Sequence, residues 1–171
     1  MKRNTVFAWI ALSLALCHVF PARAQEADAV LVAVAEESAR PGDRVLIAVE
    51  ISGLEGREIL AGEVKVKFDP AVLAGQQIIR RGALIGGQSW LTADQIDSAA
   101  VDYHVFQVVF AASRGFTRGG ELFFMEFAVD STAEIGTTTT LEVIDASFNN
   151  GEPKASLGSG ALVHKRVQKR V

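Results

Sequence analysis

The sequence predicts an all-β protein, a single domain built as an antiparallel two-sheet sandwich of about nine strands. Three observations carry this. Apolar and polar residues alternate with a period of two over residues 44–52, 60–68 and 103–112. Turn-forming Gly, Pro, Asn and Asp punctuate the chain between such runs. No segment keeps a helical period between capping residues. Composition agrees with this class. A chain of 171 residues, 49% hydrophobic and 22% charged, with 15 Gly and 4 Pro, is long enough for its own core. It fits neither a disordered, a collagen-like nor a disulfide-framework protein.

The N-terminus is expected to be a signal peptide over residues 1–24. Lys2 and Arg3 precede an almost wholly apolar stretch, residues 6–20, broken only by Ser13, Cys17 and His18. Pro21 ends it, and Ala22-Arg23-Ala24 places small residues at the two positions that signal peptidase reads. Gln25 would then be the first mature residue. The stretch falls short of the about 20 residues that a membrane span needs, which argues against a retained anchor. Leu16 stands where a lipobox wants a small side chain. Cys17 is the single cysteine, so the mature chain of 147 residues has no thiol, as suits a secreted or periplasmic protein.

Charge is uneven. Of 17 basic residues, Lys2, Arg3 and Arg23 lie in the leader, and Lys165, Arg166, Lys169 and Arg170 in the last seven positions. The domain between, residues 25–164, therefore carries ten basic against 20 acidic residues, a net −10. Such a body is a poor ligand for nucleic acid or anionic lipid. Residues 165–171 read as a solvated basic tail.

The elements follow in order. Residues 30–35 form a Val-rich strand. After the turn signal at residues 39–43, residues 44–52 place Val45, Ile47, Val49 and Ile51 on one face. Residues 60–68 place Gly62, Val64, Val66 and Phe68 inward, and Ala61, Glu63, Lys65 and Lys67 outward. Asp69-Pro70 closes that strand with a capping carboxylate and a fixed φ. Residues 73–80 resume an extended run, and residues 81–97 read as loop holding one short strand. Residues 103–112 turn Phe106, Val108 and Phe110 inward and Val105, Gln107, Val109 and Ala111 outward. Residues 121–129, 138–144 and 160–163 complete the set.

Catalytic constellations do not emerge. Asp102 and His104 share a strand face but suggest no third metal ligand, so His104 is expected at the surface. Ser156-Leu157-Gly158-Ser159-Gly160 lacks the first glycine of a nucleophile elbow and precedes a strand. Residues 82–87 lack the Lys-Ser/Thr pair of a phosphate loop. Asp145, Ser147 and Asn149 have a calcium-loop rhythm, but Asn150 and Ser156 occupy the positions that need Gly and Glu, so a hairpin turn is expected. Glu36-Glu37 and Asp94/Asp97 read as solvated. The chain reads as non-enzymatic, with no cofactor or metal of its own.

The order of five motifs resembles the cohesin domain family. They are Pro41-Gly42-Asp43, then Ala61-Gly62-Glu63-Val64-Lys65-Val66-Lys67-Phe68-Asp69-Pro70-Ala71-Val72-Leu73, and Val108-Val109-Phe110-Ala111-Ala112-Ser113. Gly120-Glu121-Leu122-Phe123-Phe124-Met125-Glu126-Phe127 and Ala146-Ser147-Phe148-Asn149 follow. The resemblance spans residues 30–163. It implies a nine-stranded, jelly-roll-like sandwich that binds a dockerin module, the partner carrying the calcium. It also implies partner contacts at Ala61, Glu63, Tyr103, Val109, Ala111, Ala112, Ser113 and Gly115. Lys65 joins them by alternation, and the period argument alone already turns Glu63, Lys65, Val109 and Ala111 outward. The resemblance also implies an Asn and an Asp, which in well-known cohesins hydrogen-bond hydroxyl residues of the dockerin, at the places where this chain has Ala61 and Glu63.

A secreted, dockerin-binding interaction module with a link to polysaccharide degradation is therefore the leading expectation. A carbohydrate-binding module, with Trp90 and Tyr103 as stacking rings, and a structural subunit of an envelope assembly are the alternatives.

Overall fold

A computed structural model describes residues 29–87 and 89–164, and within these the side chains of all but residues 76–78. The expected leader (residues 1–24) and basic tail (residues 165–171) lie outside the described residues. The strands are β1 (Val30–Val34), β2 (Glu37–Ala39), β3 (Arg44–Ser52), β4 (Ile59–Phe68), β5 (Leu73–Arg81) and β6 (Trp90–Asp97). They continue with β7 (His104–Phe116), β8 (Gly120–Val129), β9 (Thr138–Phe148), β10 (Ala155–Leu157) and β11 (Ser159–His164). They form two sheets, ordered β10-β1-β3-β8-β5 and β2-β11-β9-β4-β7-β6. The expected sandwich is thus present, with eleven strands among the described residues in place of nine.

The two additional strands, β2 and β10, have three residues each and lie at sheet edges. Both pair in parallel, β10 with β1 and β2 with β11, so the sandwich is not wholly antiparallel. Parallel partners need a long crossover, and these come from opposite ends of the chain, which leaves no local hairpin signal. The loop holding one strand expected over residues 81–97 is present, and its strand is the eight-residue β6, paired throughout with β7.

Alternation decides what is buried. Val64, Val66 and Phe68 of β4 and Phe106, Val108 and Phe110 of β7 point inward from the six-stranded sheet. They meet Leu122, Met125 and Phe127 of β8 and Ile47, Val49 and Ile51 of β3. Rings bridge the layers: Phe127 meets Phe68 edge-on at 5.0 Å between centroids and Phe106 at 6.2 Å. Trp90, the first residue of β6, packs on Phe110 and Phe116 at 5.8 and 5.6 Å.

Two polar details fix the ends. Asp69 Oδ1 accepts a bond from the Ala71 amide at 2.8 Å, the expected cap after β4. His164, at the end of β11, is buried, with Nε2 3.1 Å from the Thr139 hydroxyl. His104 is half-buried rather than fully exposed, its ring edge against Phe68 at 5.8 Å.

On the outer face of the five-stranded sheet, Glu126 lies between Arg44 (3.0 Å) and Arg80 (3.3 Å). The Arg44 hydrogen bond holds the Glu126 carboxyl below its usual range; burial opposes it as the next effect in size, and the Arg80 hydrogen bond adds to the lowering. A carboxyl depressed in the folded state adds stability above its unfolded pKa and loses it as pH falls through the folded value. Glu126→Gln should therefore flatten the decline of Tm on acidification below the ordinary carboxylate range of about 4.3. Superimposable Tm-against-pH curves for the two proteins would refute this.

Candidate functional site

The outer face of the six-stranded sheet is ordered into rows by strand register. Across β6, β7 and β4, Leu91 stands beside Ala111 and Ala61. Below it, a row runs Ala93, Val109, Glu63 and Ser147, reaching into β9. The next row runs Gln95, Gln107, Lys65 and Asp145, and the last Asp97, Val105, Lys67 and Glu142. The upper rows are largely apolar and the lower rows polar, so the face is divided by chemistry along the strands.

A continuous polar chain crosses the middle. Gln95 Nε2 donates to Gln107 Oε1 at 2.7 Å, and Gln107 Nε2 donates to Glu63 Oε1 at 2.6 Å. Lys65 Nζ lies 3.0 Å from Glu63 Oε1 and 3.0 Å from Asp145 Oδ2. These two partners, Glu63 first, raise the Lys65 pKa above its usual value and keep the ammonium charged, burial opposing them only in part. Glu63 and Lys65 are consequently half-buried by their neighbours, although alternation turns them outward. Lys67 pairs with Glu142 at 3.7 Å and lies 5.0 Å over the Tyr103 ring.

The apolar half holds a shallow hollow of about 220 Å³ lined by Leu91, Thr92, Ala93, Val109, Phe110 and Ala111. Beside it, a second hollow of about 190 Å³ is lined by Ala93, Asp94, Gln95, Gln107 and Val109. Asp94 belongs to the inner side of β6, and burial pushes its carboxyl pKa up. Leu91 is 78% exposed and Val109 39% exposed.

The rings pack close beneath this face for a steric reason. A Cβ on Gly62 would lie 2.7 Å from both Phe110 Cζ and Phe148 Cδ1, so glycine is what lets those rings approach β4. At the upper edge Asn149, with φ 42°, clamps the start of β4. Its Oδ1 accepts from the Leu60 and Ala61 amides at 2.8 and 3.2 Å, and its Nδ2 donates to the Glu58 carbonyl at 2.6 Å. Asp145 and Ser147 are strand residues of β9, and the turn expected there begins only at Asn149.

Of the expected contact residues, Ala61, Glu63, Lys65, Val109 and Ala111 are gathered into one patch. Tyr103 sits below it, beyond Lys67. Ala112 is placed differently, half-buried on the inner side of β7 and packed against the core. Ser113 and Gly115 lie past the patch, where the Gly115 amide donates to Glu58 Oε1 at 3.0 Å. Sequence reasoning misses Leu91, Ala93 and Gln95 because it leaves the one strand of this stretch unplaced; their period-two spacing is the available signal. Trp90 is buried against Phe110 and Phe116, so it does not form an exposed stacking platform with Tyr103. Among the described residues no group of His, Cys, Asp and Glu is arranged to hold a metal ion.

The sequence matches the cohesin domain family over residues 30–160. The chain belongs to the cohesin family. No curated protein matches it. Among solved structures it is similar to the third cohesin of ScaC from Acetivibrio cellulolyticus, in complex with the ScaB dockerin. That match has 17% identity and a TM-score of 0.66, covering 80% of this chain and 99% of that one. It is also similar to a non-cellulosomal cohesin from the archaeon Archaeoglobus fulgidus, at 17% identity and TM-score 0.60, covering 79% and 91%. A third is the cohesin of the Coh-OlpA–Doc918 complex from Clostridium thermocellum, at 14% identity and TM-score 0.61, covering 79% and 99%. At such identities the likeness is one of fold.

Proposed function

We propose that this protein is a secreted, non-catalytic docking module whose six-stranded sheet binds a dockerin-type partner. The observation that carries the reading is the chemically divided outer face of the six-stranded sheet in a chain of the cohesin family. Val109 and the apolar hollow around it offer an anchor site, and the ordered polar chain beside it supplies a rim. Its polar groups are tied to one another, an arrangement suited to contact rather than to a nucleophile activated by a base. The N-terminal leader, residues 1–24, supports export, and Ala61, Glu63, Lys65, Val109 and Ala111 form the proposed contact set. Tyr103, Ser113 and Gly115 flank that set.

The test is capture of a partner by the immobilised mature chain, Gln25 to Val171, from secreted and envelope proteins of the producing organism. It is run with calcium and again with chelator. A discrete partner held only in calcium is expected, and Val109→Asp should weaken it about 100-fold by placing an uncompensated charge in the anchor hollow. Capture of no protein, or equal capture by Val109→Asp, would overturn the reading.

A further inference from the structure

The middle of the docking face is already chemically closed. Gln107 uses both ends of its amide, accepting from Gln95 and donating to Glu63. Lys65 is bracketed by Glu63 and Asp145, each at 3.0 Å. A neutral hydroxyl arriving here must displace a bond that already exists, so its net gain is small.

The lower rows behave differently. Asp97, Glu142 and Asp145 stand against Lys65 and Lys67, an excess of one negative charge, to which Glu63 of the row above adds another. Both lysines are engaged by carboxylates, whereas the side chains of Glu142 and Asp145 remain 55% and 52% exposed. Carboxylates exposed to this degree receive a second cation with little desolvation, and the surrounding acidic body adds attraction over a longer range. The apolar hollow of about 220 Å³ has room for one branched aliphatic side chain.

From this division we infer that the face selects a partner helix bearing an aliphatic side chain and a Lys or Arg, in place of a pair of hydroxyl residues. The inference rests on the docking reading proposed above and names the chemistry of its partner. Strand geometry sets the spacing. Val109 and Asp145 are two strands and one row apart, roughly 12 Å on a diagonal. That is about two turns of helix, so the aliphatic and the cation fall seven or eight residues apart on one helix face.

The probe is a displayed library of a calcium-binding dockerin-type module with its exposed helix positions randomised, selected against the mature chain. Binders are expected to carry Leu, Ile, Val or Met at one position and Lys or Arg seven or eight residues away. Their affinity should fall about tenfold between low salt and ~0.5 M salt. Glu142→Lys and Asp145→Lys, each checked for unchanged Tm, should each weaken them about tenfold, and a Lys→Glu binder should recover on Asp145→Lys. Binders that need Val109 but carry hydroxyl pairs, or ignore salt and both charge reversals, would overturn this inference and leave docking intact. A library giving no binder, or only binders indifferent to Val109→Asp, would overturn the docking reading and this inference together.

Discussion

Phe127→Ala is expected to lower folding stability by about 3–5 kcal/mol. Phe127 is fully buried on β8 and is the ring that meets both Phe68 of β4 and Phe106 of β7 across the two layers. Its removal takes away transfer free energy, two ring contacts and the filler between sheets that cannot collapse onto each other. For a domain of this size the loss corresponds to a Tm drop of roughly 10–20 °C. Phe127→Leu refills most of the volume and should cost about half as much or less. Denaturant titration of the three proteins checks this. A loss under about 1 kcal/mol for the alanine variant would mean that the layers are joined elsewhere.

Asn149→Ala is expected to cost about 2–4 kcal/mol and, in protein that stays folded, to weaken docking. Three hydrogen bonds tie the Asn149 side chain to Glu58, Leu60 and Ala61. Its left-handed backbone, φ 42°, is one that alanine adopts only at a penalty. Asn149→Gly separates the two causes: it loses the same bonds but keeps the backbone freedom, and should recover about 1 kcal/mol. Because the clamp sets the start of β4, it also sets the position of Ala61 beside Ala111. Equal stabilities for the alanine and glycine variants would show that the backbone conformation carries no strain.

The legible and illegible parts of this molecule divide along a physical line. From Val64 to Phe68 in β4 and from Phe106 to Phe110 in β7 every inward position is Val or Phe, so the period-two pattern determines which side of the sheet Glu63, Lys65, Val109 and Ala111 occupy. In β6 the inward positions are Trp90, Thr92, Asp94 and Ile96, and the outward ones include Leu91 and Ala93. Such mixed chemistry on both sides erases the alternation, and the glycines at 82, 86 and 87 reinforce the impression of loop. The cross-strand chain from Gln95 to Asp145 is illegible for another reason. It depends on register among four strands, and register is set by pairing partners that no local pattern names. Ala112 shows the converse: strand alternation places it beside Phe110 on the inner side, whereas family position alone places it among the contacts.

The two parallel pairings have a consequence in time. β1 finds β10, and β2 finds β11, only after more than a hundred intervening residues have been made. The first strands synthesised thus wait for the last before their sheets have both edges in place. Closing so long a loop carries its entropy penalty before any contact repays it, which slows assembly compared with a meander of neighbouring hairpins. A chain that postpones closure in this way stays open for longer before it becomes rigid. Its two sheets are complete only when the late strands β10 and β11 have joined the early strands β1 and β2.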